Sequence, residues 1–127
     1  MKKIIVKIDL GKYKYVDLEL SEAQKLLNEI AIRKGETRDL LEAIRYLENF
    51  DEFYMYMKKK FKDFITPPKE PKDLVSGRVV IDKLKLYTKD DVKRVVIVFD
   101  RRVDVEFLQQ LLKTIGYDDV VIQKEVF

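Results

Sequence analysis

Five consecutive residues, Asp100-Arg101-Arg102-Val103-Asp104, bring two carboxylates and two guanidinium groups into one short turn. They follow the apolar run Val95-Val96-Ile97-Val98-Phe99 and precede a helical pattern, so they stand where a buried strand hands over to a helix N-terminus. The first backbone N–H groups of a helix have no partner inside it, and arginine forks match phosphate oxygens. Ligands also gather at the carboxyl ends of strands in α/β sheets. Arg101 and Arg102 are therefore candidate phosphate-binding residues, and Asp100 with Asp104 is a candidate magnesium pair built from the oxygen ligands that ion prefers. The plainer account makes Asp104 a helix cap and Asp100, Arg101 and Arg102 solvated turn residues, and no second motif supports the chemical one.

A second candidate is Lys58-Lys59-Lys60-Phe61-Lys62, preceded by Phe53, Tyr54 and Tyr56. Positive charge interleaved with aromatic rings is what a nucleic-acid surface presents, and with Arg101 and Arg102 it makes a nucleic-acid-binding reading. Three observations oppose it. Cations are favoured at a helix C-terminus in any case. Asp51, Glu52 and Asp63 lie close by, and a net charge of +3 is too small to imply nucleic acid.

The third candidate is apolar. Leu40, Ala43, Leu47, Phe50, Tyr54, Met57, Phe61 and Phe64 recur at alternating steps of three and four, the spacing of a heptad seam. Tyr46, Phe53, Met55 and Tyr56 add apolar surface outside it. Aromatic and methionine side chains are enriched at protein interfaces, so Leu47, Phe50, Tyr54, Met57, Phe61 and Phe64 are expected to form a self-association surface. The alternative is that the whole seam is core.

The chain contains no histidine and no cysteine, which removes thiolate or imidazole metal sites, Ser-His-Asp and Cys-His nucleophiles and histidine bases together. No Gly-rich phosphate loop is present. The expected function is a non-enzymatic interaction module: a homodimer formed through residues 40–64 that binds a further macromolecular partner and needs no cofactor. The alternatives are a nucleic-acid-binding protein using Lys58, Lys59, Lys60 and Lys62 with Arg101 and Arg102, and a magnesium-dependent phosphate-processing enzyme at Asp100 and Asp104.

The elements that must position these residues follow from periodicity. Residues 3–10 alternate, with Ile4, Val6, Ile8 and Leu10 on one face, and Gly11-Lys12 supplies a turn into a return strand. The apolar phase switches between Tyr15 and Val16, which predicts a β-bulge there. Ser21 and Gln24 form the S-x-x-Q pattern of a capping box ahead of Ala23, Leu26, Leu27, Ile30 and Ala31, and Gly35 stops that helix. Thr37 caps the seam, which is either one rod over 38–64 or two helices broken near residues 49–51. The stretch ITPPKEPKDLVSG over 65–77 predicts an extended connector. Two strands joined by Lys89-Asp90-Asp91 follow, the second central and covered on both faces. A helix capped by Asp104, stapled by Val103 onto Leu108 and ended by Gly116, leads to a last strand over 120–126 that should run parallel in a β-α-β unit.

That order contains β-α-β-β-α-β after its first strand, so the expected class is α+β: a ferredoxin-like mixed sheet of about five strands with helices mainly on one face. At 127 residues, one domain with one core is expected across 1–127. With 39% charged residues and only two Asn and two Ser, the composition has a thermophilic bias. No apolar run is long enough to span a bilayer, and Met1-Lys2-Lys3 leads straight into an alternating strand, so a cytoplasmic location is expected.

Overall fold

The computed structural model describes residues 2–125. Strands β1 (Lys3–Ile8) and β2 (Lys14–Glu19) are followed by helices α1 (Leu20–Lys34), α2 (Arg38–Glu48), α3 (Phe50–Lys59) and α4 (Pro71–Ser76). Strands β3 (Ile81–Lys89) and β4 (Val92–Phe99), helix α5 (Val105–Thr114) and strand β5 (Asp119–Lys124) complete the described part. Met1 and Val126, both used in the sequence reading, lie outside the described residues.

The class is α+β, with one five-stranded mixed sheet in the order β3-β4-β2-β1-β5. Every neighbouring pair is antiparallel except β1 with β5. The ferredoxin-like order is not reproduced, because the N-terminal strand inserts between β2 and β5 instead of flanking the sheet. β4 and β5 still run in the same direction, with β2 and β1 between them.

Alternate residues of the strands, Ile4 and Val6, Val16 and Leu18, Leu84 and Leu86, Val95 and Ile97, join one buried cluster with Leu26, Leu27 and Ile30 of α1, Leu40 and Leu47 of α2, and Leu108, Leu111 and Leu112 of α5. Among the described residues no helix packs on the opposite face, which corrects the expectation that β4 is covered on both sides. Val98 is buried there by its neighbours in the sheet, outside that cluster.

Several local expectations are corrected. Alternation in β2 is regular, with Tyr15 and Asp17 on the open face and Val16 and Leu18 inward, so no bulge separates Tyr15 from Val16. The bulge lies instead between Ile81 and Lys83. Helix α1 starts at Leu20, one residue before the proposed cap Ser21, because Leu20 already packs against the core; Glu19 takes the cap position without a side-chain bond. Thr37 holds the expected cap position of α2, but its hydroxyl makes no cap bond. The seam is two helices, not a rod. It breaks at Asn49, whose φ of −115° and ψ of 45° leave the helical region and whose Nδ2 donates to the Arg45 carbonyl at 3.0 Å.

The connector is not wholly extended. Pro71 occupies the first turn of α4, where its missing N–H is no loss. Before it, Ile65 exchanges backbone bonds with Leu84 at 2.8 and 2.9 Å, which covers part of the β3 edge. The expectations for the β3–β4 turn and for α5 hold. Asp90 and Asp91 both adopt positive φ, as a two-residue hairpin turn requires, and Asp104 accepts a bond from the Glu106 N–H at 3.1 Å. Between α2 and β3 stands a feature that periodicity did not indicate. Asp39 is fully buried, and its Oδ2 accepts from the Val80 and Ile81 N–H groups, each at 2.8 Å.

Candidate functional site

The Asp100 loop satisfies itself. Asp100 Oδ1 accepts from the Arg102 backbone N–H at 2.9 Å and from Arg102 Nε at 3.1 Å, while Arg102 Nη1 donates to the Leu74 carbonyl at 3.0 Å. Asp104 is committed to its cap. The ammonium of Lys14 donates to the Arg101 carbonyl, and both Asp100 and Asp104 act on it electrostatically; burial lowers its pKa against their pull. Both carboxylates thus act on Lys14, and Arg102 is engaged by Asp100 and the Leu74 carbonyl. Among the described residues no group of three or more carboxylates is arranged to hold a metal ion.

The basic segment is divided from the arginines by the length of the sheet. Tyr54 and Lys58 lie beside Thr88 at the β3–β4 turn, whereas Arg101 and Arg102 follow Phe99 at the far end of β4. Thr88 is opposite Lys93, six residues from Phe99, so about 20 Å intervenes. Lys58 and Lys62 lie over the rings of Tyr54 and Tyr56, with 4.8 and 5.7 Å to the centroids. Lys59 and Lys60 are exposed.

The seam residues separate into two groups. Leu47, Phe50 and Met57 are buried in the core. Tyr54 is half-buried and stacks on Phe50, and Phe64 is half-buried under Lys83. Phe61 is 97% exposed. The apolar surface left for a partner on α3 and just beyond it is therefore Met55, Tyr56 and Phe61.

A large hollow lies elsewhere, on the uncovered sheet face. It has a volume of about 520 Å³ and is lined by Lys3, Ile5 and Lys7 of β1, Tyr15 and Asp17 of β2, and Val96 of β4. Ile4 and Val16, whose side chains point to the core, also line it, so the hollow enters between the two strands. Its origin is the pairing pattern. β1 pairs with β5 along all six residues from Lys3 to Ile8, and β2 pairs with β4 along all six from Lys14 to Glu19. β1 and β2 pair only at Lys7↔Tyr15 and Ile8↔Lys14, next to their turn. From there they diverge and leave a slot.

The charges around the slot are unevenly committed. Asp17 bonds Arg94 Nε at 3.0 Å and accepts from the Tyr87 hydroxyl. The Tyr15 hydroxyl donates to Glu125, and that bond, with burial, pushes its pKa up to about 12. Lys3 and Lys7 have no ion pair among the described residues. None of the slot residues was a candidate in the sequence. The available signal was Ile5, an apolar residue in the polar phase of β1, together with Tyr15, out of phase with the core residues of β2. Comparison of the chain with protein-family models, curated proteins and solved structures finds no match.

Proposed function

We propose that the protein is a non-catalytic binding module that engages a macromolecular partner on the uncovered face of its sheet. The observation that carries this reading is the hollow beside β1 and β2, of ligand-binding size and lined by Ile5, Val96 and two lysines that have no ion pair among the described residues. The Asp100 loop supports a phosphate or magnesium enzyme less well, since its carboxylates and Arg102 are engaged within the loop and with Leu74. The test is a fragment screen read by backbone amide shifts. Shifts are expected to concentrate on Lys3, Ile5, Lys7, Tyr15, Asp17 and Val96; a screen whose hits concentrate on the helical face refutes the reading.

A second reading, self-association through segment 40–64, is supported by Phe61, a fully exposed aromatic held at φ +54°. It would act through Met55, Tyr56 and Phe61, since Leu47, Phe50 and Met57 are core. Sedimentation of the wild type and of a Tyr56→Ser/Phe61→Ser variant tests it: a dimer that the variant abolishes supports it, and a monomeric wild type removes it.

A further inference from the structure

The two edges of the sheet are finished differently. At the β3 edge the Asp82 carbonyl accepts from Lys69 Nζ at 3.1 Å, and Leu84 exchanges backbone bonds with Ile65. Among the described residues no strand lies beyond β5. The phase of β5 is fixed at both ends, where the N–H groups of Asp119 and Glu125 donate to the Lys2 and Ile8 carbonyls. Odd-numbered residues of β5 therefore turn their main chain to β1, and Val120, Ile122 and Lys124 turn theirs off the sheet. That edge carries no proline and is apolar from Val120 to Ile122. Val120 and Ile122 pack against the core yet stay half-buried. Natural sheets cover or charge such an edge, because its unpaired N–H and C=O groups template another strand.

We propose that β5 pairs antiparallel with β5 of a second copy of the chain, about a two-fold axis perpendicular to the sheet between the two Val121 residues, joining both sheets into one. The strand's own sequence selects that register. With Val121 opposite the partner subunit's Val121, Val120 exchanges both main-chain bonds with Ile122 of the partner subunit, and each such pair adds apolar cover on the helical side. Lys124, exposed and without an ion pair among the described residues, then stands opposite the partner's Asp118. Asp118 Oδ2 accepts from the Lys2 N–H at 3.1 Å, which leaves Oδ1 for the ammonium, so opposite charges close both ends of the contact. Neighbouring registers match poorly. Centring on Ile122 sets Asp119 against the partner's Glu125, and centring on Gln123 sets Val121 against that same glutamate. A contact of this kind closes at two copies and leaves only the β3 edges outermost. It also puts both open faces on one side, with their hollows about 20 Å apart, so a partner with two matching segments would gain avidity.

The chain contains no cysteine, so single cysteines report the register directly. In the proposed dimer the Cα atoms of the two Val121 residues are about 4.5 Å apart, within disulfide reach. Those of the two Gln123 residues are about 14 Å apart. Mild oxidation with diamide should therefore cross-link Val121→Cys at least tenfold faster than Gln123→Cys, although Gln123 is the more exposed position. Sedimentation should show a wild-type dimer. Ile122→Pro removes an N–H that points off the sheet and none that β1 uses, and should weaken the dimer at least tenfold. Lys124→Glu should do the same by setting like charges at each end, and adding Asp118→Lys to it should recover the dimer. Circular dichroism checks that each variant keeps its fold. Tyr56→Ser/Phe61→Ser should leave this dimer unchanged, which separates it from association through α3. A wild type still monomeric at about 1 mM overturns the proposal. So does a dimer that Ile122→Pro and Lys124→Glu leave intact, or cross-linking of Gln123→Cys as fast as that of Val121→Cys.

Discussion

Phe61 offers the sharpest test of how the backbone after α3 is held. The Lys60 N–H bonds the Tyr56 carbonyl at 3.0 Å and the Lys62 N–H reaches back to the Met57 carbonyl at 2.9 Å, closing the helix around a residue at φ +54°. That is the position glycine normally fills. A residue with a Cβ in the left-handed region costs roughly 1 to 2 kcal/mol, and glycine returns about 0.5 to 1 of that through the freedom of its unfolded chain. At 97% exposure the ring contributes almost no burial that its removal could forfeit. Phe61→Gly should therefore stabilise the protein by about 0.5 to 1 kcal/mol, a rise in Tm of roughly 2 to 4 °C, whereas Phe61→Ala keeps the strained backbone and should gain nothing. Urea denaturation of all three proteins at two concentrations decides, since a stability that changes with concentration would report self-association. A Gly variant less stable than wild type, or an Ala variant that gains as much, refutes the backbone argument.

Other outcomes follow from the buried polar groups and the caps. Asp39→Ala leaves the Val80 and Ile81 N–H groups buried without an acceptor and should lose about 2 to 5 kcal/mol in equilibrium unfolding, with Asp39→Asn, which retains an oxygen, losing less. Asp104→Ala should lose about 1 kcal/mol and Ser21→Ala less than about 0.5; equal losses would put α1 back at a Ser21 cap. In a spectrophotometric titration of the seven tyrosines, Tyr15 and Tyr117 should ionise last. The bond to Glu125 raises the first, and burial followed by the Glu22 bond raises the second. Because these folded-state values lie above the unfolded one, their stabilisation is complete below about pH 10 and is lost as pH rises through the folded values. A single transition of all seven near pH 10, unchanged by Tyr15→Phe, would contradict this.

What the sequence made legible was local. Asp104 capping α5 and the turn at Lys89-Asp90-Asp91 need only their immediate neighbours, and both were readable. The apolar phase of β1 and of residues 16–20 located one core face. The break at Asn49 was not settled, because α2 and α3 bury the same stripe and the heptad spacing runs through the break undisturbed. Tyr15 was misread as evidence of a bulge, since periodicity counts an aromatic ring as apolar without registering which face is covered. The slot was out of reach altogether. It exists because β1 follows β5 along its whole length and leaves β2, a choice between partners more than 100 residues apart that no local pattern records.

The insertion of β1 between β2 and β5 also orders events in time. Pairing of Lys3 with Asp119 and of Ile8 with Lys124 joins segments separated by nearly the whole described chain, the most expensive kind of loop to close during folding. While the nascent chain emerges from the ribosome, β1 can hold on to β2 only by the two residue pairs beside their turn, and the edge it will give to β5 stays bare until the last strand is made. Of the five strands of this sheet β1 is then made before the others and seated among the last, and a polypeptide halted before Asp119 would carry an unfinished sheet open to any strand that reached it first.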